Sequence, residues 1–172
     1  PDSVHCIAAD AFKNNEQLTG VCIPDTVSCI GMNAFYNCSI LESVLLPDTI
    51  TEIPAYCFYN CVSLQTINLP DKLTAIGDHA FAKCSSLAGL VFPYKLSFIG
   101  PYAYSECSGL TELDIPGTVK WVGESAFASC SSLHTVRAGA EVISKNAFRN
   151  CSSLRKAVLS SNVLNLGASA FQ

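Results

Sequence analysis

Apolar positions along this chain return on a long, fixed period. Residues 79–93, HAFAKCSSLAGLVFP, set an Ala-Phe pair, a cysteine and two serines ahead of an apolar run that ends in proline. The pair recurs at Ala11-Phe12, Ala34-Phe35, Cys57-Phe58, Ala80-Phe81, Ala103-Tyr104, Ala126-Phe127, Ala147-Phe148 and Ala170-Phe171. Its spacing is 23 residues, except for one interval of 21. A period of this size predicts a solenoid, whose units are each too small to bury their own apolar side chains and must stack to share a core.

Within each unit the pattern predicts two extended segments. Three residues after the aromatic stand Asn15, Cys38, Cys61, Cys84, Cys107, Cys130 and Cys151, and three further on stand Leu18, Leu41, Leu64, Leu87, Leu110, Leu133 and Leu154. Apolar residues occupy the third and fifth positions after each leucine, as in Val44 with Leu46 and Leu113 with Ile115. This alternation is that of a short strand with one face inward. Proline at 24, 47, 70, 93 and 116 ends the strand, because it lacks an N–H and fixes φ. A second apolar pair, such as Leu73 with Ile76, leads back toward the next Ala-Phe, usually through glycine.

The consensus LxxLxLPxxLxxIGxxAFxxC resembles the BspA-like, or Treponema-type, leucine-rich repeat over essentially the whole chain. The resemblance implies an α/β-type solenoid, mostly β: a right-handed leucine-rich-repeat coil with a parallel sheet on the concave face and short convex strands or helical turns. The expected domain is a single array over residues 1–172, about seven 23-residue repeats. The sixth unit departs from the pattern, being two residues short around Arg137 to Val142 with Gly139 in the proline position, and Tyr104 stands in place of Phe. No capping segment is evident, so the chain is expected to be a piece of a longer protein with weak self-association through uncapped ends.

The cysteine column reads as packing, since a small thiol fills a narrow inward site. Six parallel thiols cannot pair uniquely without strain. Zinc would need four convergent ligands, often with CxxC spacing, which the chain lacks. No metal and no cofactor is therefore expected, and the ten cysteines are expected to be free thiols. Cys6 and Cys29 hold equivalent sites in successive coils and form the pair expected to bridge if any does. Cys57 replaces an alanine of the core, and Cys22 falls at an outward strand position.

Charge narrows the function classes. The formal net charge is -4 and the ten Lys and Arg form no basic run, so no nucleic acid partner is expected. No apolar stretch approaches the roughly 18–20 residues of a membrane span, which predicts no membrane insertion. His5, His79 and His134 occupy different repeat positions, so they do not converge on a catalytic group. Ser85-Ser86 and Ser131-Ser132 suit the tight turn into the strand. Asn37-Cys38-Ser39 and Asn150-Cys151-Ser152 match the glycosylation acceptor pattern but arise from the repeat itself.

Function is then expected in columns that the core leaves unconstrained. The outward strand column reads Cys22, Leu45, Asn68, Val91, Asp114, Arg137 and Val158, apolar to neutral in the first half and charged in the second. Its central members, Leu45, Asn68, Val91, Asp114 and Arg137, are the candidate binding residues for a protein partner. Aromatic pairs at Phe98 with Trp121 and at Tyr36 with Tyr59 are further candidates. The resemblance implies a non-enzymatic interaction module of a cell-surface or secreted protein, adhering to host extracellular proteins or cells. A structural spacer with no ligand of its own is the competing expectation.

Overall fold

The computed structural model describes residues 3–172, so the first two positions of the expected 1–172 array lie outside the described residues. The chain winds as a mostly-β parallel solenoid of seven coils. Strands Gly20–Cys22, Ser43–Leu45 and Thr66–Ile67 form one parallel sheet, and Glu112–Ile115, Thr135–Ala138 and Lys156–Leu159 form a second. Repeat register is strand register: Val44 lies beside Val21 and Ile67, and Val136 beside Leu113 and Ala157. The return segments make a two-stranded sheet, Cys6–Ile7 with Cys29–Ile30, and a six-stranded one running from Glu52–Ile53 to Asn165–Leu166.

Of the two alternatives for the return side, strands are found, and no helix occurs among the described residues. The Ala-Phe turns show why. The first seven each carry two residues at positive φ, one before the alanine and one two after the aromatic, such as Asn33 and Asn37, both at 58°, and the last carries Ser169. A left-handed residue every fourth position blocks helix propagation. Alternate amides then serve different partners: Tyr36 N–H donates to Asn33 C=O within the turn at 2.9 Å, whereas Phe35 N–H donates to Cys57 C=O of the next coil at 2.9 Å. Asparagine, which tolerates this conformation best after glycine, also builds a ladder here. Asn37 Nδ2 donates to Asn14 Oδ1 at 3.0 Å and Asn60 Nδ2 to Asn37 Oδ1 at 2.6 Å.

The core is a spine of rings. Phe12, Phe35, Phe58, Phe81, Tyr104, Phe127, Phe148 and Phe171 stack face to face in chain order, with centroids 4.9–5.3 Å apart. Tyr104 is fully buried, and its hydroxyl has no hydrogen-bond partner among the described residues. Burial raises the phenol's pKa well above its ordinary value. An unpaired buried hydroxyl is destabilising, so Tyr104→Phe is expected to raise stability by about 1–2 kcal/mol in urea denaturation. An unchanged or lower stability would mean that the hydroxyl has a partner in solution.

The cysteine column lies where packing predicted, and it also ties coils together. Cys84 Sγ donates to Phe58 C=O at 3.1 Å, and Cys61 and Cys107 repeat the contact on Phe35 and Phe81. Burial pushes the Cys84 thiol up to about 12, so it stays protonated and unreactive at neutral pH. The expectation of ten free thiols is corrected: Cys6 and Cys29 are joined by a disulfide, leaving eight free. Their strands are in register with Cα atoms 4.7 Å apart, inside the range a disulfide spans. Iodoacetamide without reductant is expected to label only the exposed Cys22 in the native protein and all eight free thiols after unfolding, counted by mass spectrometry. Native labelling of the column would contradict the buried ladder.

At the shortened sixth unit the chain turns without proline. A Cβ on Gly139 would lie 2.6 Å from the Gly117 backbone nitrogen, so the absence of a side chain lets the two coils meet there.

Candidate functional site

Alternation sends every second strand residue outward, and in the structure these residues line three open grooves along one face. Leu45 is 55% exposed and shares the first groove with Gly20, Cys22 and Asn68. Asn68 and Val91 border the second, with Leu90, Asp71 and Glu112. Asp114 and Arg137 border the third, with Gly117, Gly139, Ser160 and Asn162. The five candidate residues therefore occupy successive grooves, joined where Asn68 is shared.

The face is interrupted at the fourth coil. Residues 88–92 form no strand although their apolar alternation matches that of the other coils, so the two three-stranded sheets do not join. On one side of the break Asn68 turns its amide back onto the preceding coil. Its Nδ2 donates to Leu46 C=O at 2.8 Å, and its Oδ1 accepts from Leu46 N–H at 2.7 Å. Asn68 thus completes the edge of the first sheet with a side chain, and its polar atoms are already engaged. Gly89 meets no neighbour within 4 Å of a Cβ position and gives the segment no packing handle. Val91, next in the outward column, is 86% exposed.

Charge is distributed unevenly across the far half. Coil five presents Glu112 and Asp114, both exposed. Coils six and seven present His134, Arg137, Arg155 and Lys156, also exposed. Register sets Arg137 beside Asp114, and Thr135 between Glu112 and Lys156.

An aromatic column on the turn side was not singled out from sequence. Tyr56, His79 and Tyr102 stack at 4.6 and 4.8 Å, interplanar angles 7° and 14°, beside the stacked Tyr36 and Tyr59. Lys13 and Lys83 lie over Tyr36 and Tyr59 at 5.4 and 5.6 Å. The signal was available, since 56, 79 and 102 are spaced by 23, but one member is a histidine. Desolvation lowers the His79 pKa, with Asp78 opposing. Trp121, tilted at 52° to Phe98, donates from Nε1 to Ser144 Oγ at 2.5 Å.

The histidines stay apart: His79 stacks between tyrosines, His5 contacts Thr26 C=O at 3.2 Å, and His134 lies on the strand face. Among the described residues no group of three His, Cys, Asp or Glu is placed to hold a metal ion. No helix among them is long and apolar enough to cross a membrane. Asn37 engages both its Nδ2 and its Oδ1 in the asparagine ladder.

The family model for the BspA type leucine-rich repeat region matches residues 5–134 and 87–172. Among solved structures, the Treponema pallidum leucine-rich repeat protein is 32% identical with a TM-score of 0.84, covering 94% of this chain and 77% of that one. A leucine rich cell surface protein from Faecalibacterium prausnitzii is 25% identical with a TM-score of 0.68, covering 94% of this chain and 52% of that one. The pneumococcal vaccine antigen PcpA, 19% identical with a TM-score of 0.67 over 96% of this chain and 50% of that one, shares the fold. No curated protein sequence matches the chain.

Proposed function

Because the chain belongs to the BspA-type leucine-rich repeat family, we propose that it is a non-enzymatic protein-interaction module of a cell-surface or secreted protein, adhering to host proteins or cells through its strand face. The observation that carries this reading is the run of three open grooves lined by the outward strand residues. Exposed aliphatic residues at Leu45 and Val91 supply apolar contacts within it. The solvent-exposed disulfide Cys6–Cys29 supports an oxidising, extracellular setting, since such bonds are reduced in the cytosol. The description of the Faecalibacterium relative as a cell surface protein agrees with that.

The test is the double variant Leu45→Asp, Val91→Asp. Both side chains point to solvent, so its melting midpoint is expected to stay within a few degrees of the parent. Binding of the labelled protein to cultured host cells and to immobilised extracellular-matrix proteins is expected to fall at least tenfold. A variant that binds as well as the parent would place contacts elsewhere, and a parent that binds nothing would favour the spacer.

A further inference from the structure

The strand face changes character along its length, from exposed aliphatic residues to charged ones. Val91, the most exposed large apolar residue of the chain, is at coil four. The acids Glu112 and Asp114 follow at coil five, and His134, Arg137, Arg155 and Lys156 at coils six and seven. None of the three permanent cations there takes part in an ion pair among the described residues, where the ion pairs are Lys13–Asp10, Lys120–Glu141 and Lys145–Glu124. In a chain of net charge -4, this is a local positive stretch of the strand face, with Asp114 beside Arg137 at its near edge and no acid on that face in coils six and seven.

The same place carries a recess. The two-residue shortening of the sixth unit brings Gly139 against Gly117, and neither contributes a side chain. A groove of about 310 Å³ opens there, with Asp114 on its coil-five side, the Ser160 hydroxyl and the Asn162 amide of coil seven on the other, and Arg137 between them. A guanidinium donates two N–H groups to a carboxylate in bidentate fashion, and the hydroxyl and amide are further donors.

We propose that coils four to seven bind an extended acidic segment of a partner polypeptide, with an aliphatic residue over Val91 and a carboxylate at Arg137 on the side of the groove away from Asp114, toward Ser160 and Asn162. The proposal rests on the reading that the strand face is the binding face, and adds the partner's chemistry and direction. Two coils separate Val91 from Arg137, about 10 Å at the spacing of paired strands. An extended chain covers that in about three residues. Glu112 and Asp114 repel an acid placed earlier, so the register is fixed by repulsion as well as attraction. An exposed aliphatic contact in line with the cations favours a polypeptide over a sulfated glycan, which has no apolar side chain to cover Val91.

The test uses the whole chain and a fluorescein-labelled peptide carrying one isoleucine three residues ahead of a block of glutamates, with a lysine-block peptide as control. Anisotropy is expected to show binding of the glutamate peptide at about 50 mM salt and roughly tenfold weaker binding at about 500 mM. Arg137→Glu with Lys156→Glu is expected to weaken it at least tenfold and Val91→Asp several-fold, with melting midpoints retained. Failure of the glutamate peptide to bind, or equal binding of the lysine peptide, overturns the proposal. So does a heparin oligosaccharide that binds more tightly than the peptide and is lost in the charge-reversal variant, which assigns the cations to a glycan. If Leu45→Asp, Val91→Asp abolishes host-cell binding while charge reversal leaves it intact, the acidic partner falls and the strand-face reading stands.

Discussion

Phe81→Ala is expected to lower stability by about 3–5 kcal/mol and to split unfolding into two transitions. Phe81 is wholly buried between Phe58 and Tyr104, with centroids at 5.2 and 4.9 Å. Truncation removes the ring and leaves a void that the flanking rings cannot fill while their coils stay in register. The site matters more than its volume alone, because a solenoid is held by nearest-neighbour interfaces. Around coil four the strand face already lacks pairing at residues 88–92, so the ring spine and return sheet carry the coupling between the halves. Weakening the spine there is expected to let coils one to three melt ahead of five to seven in a thermal scan followed by circular dichroism. Phe148→Ala, near the end of the stack, is the control. A single sharp transition for Phe81→Ala, displaced no further than the control, would show that coupling does not run through the spine.

Removing the disulfide by Cys6→Ser with Cys29→Ser is expected to reduce the opening free energy of the first coil by about 3 kcal/mol, the loop-closure value for a crosslink of this span. The bond joins positions 23 residues apart. The first coil has little else, because Cys6–Ile7 pairs only with Cys29–Ile30, and this small sheet is not continued to Glu52–Ile53. Ile7, Phe12, Leu18 and Val21 are only partly buried. The amides of Phe12 and Asn14, which donate to Ala34 and Tyr36 of the next coil at 2.7 and 2.8 Å, are expected to exchange roughly hundredfold faster in the variant. Those of Phe58 and Phe81 are expected to be unchanged, since the effect is confined to the end. Unchanged exchange at Phe12 would mean that stacking alone holds the first coil.

Several features could be read from sequence because the repeat states them many times. The spacing of the Ala-Phe pairs placed the aromatic column, and the third position after the aromatic placed the buried thiols, with Cys84 as packing. Equivalence of positions 6 and 29 singled out the pair that is bridged, although free thiols are what the repeat favours. The break at coil four was not legible. Its alternation is that of its neighbours, and pairing depends on what coils three and five present: Asn68 spends its amide on Leu46, a contact with no trace in local pattern. The aromatic column Tyr56, His79, Tyr102 was legible in principle and obscured by its mixed chemistry.

The period of 23 by itself determined that the chain is a stack of equivalent coils, which residues face inward, and which columns are free to differ. It could do so because each inward position is constrained by the same neighbours in every coil. Tertiary structure alone decided where the sheet stops, which polar side chains are already engaged, and that the shortened unit opens a recess beside Arg137. These depend on contacts between residues 22 or more positions apart at sites where the repeat is imperfect. Period cannot report them, because they arise where it fails.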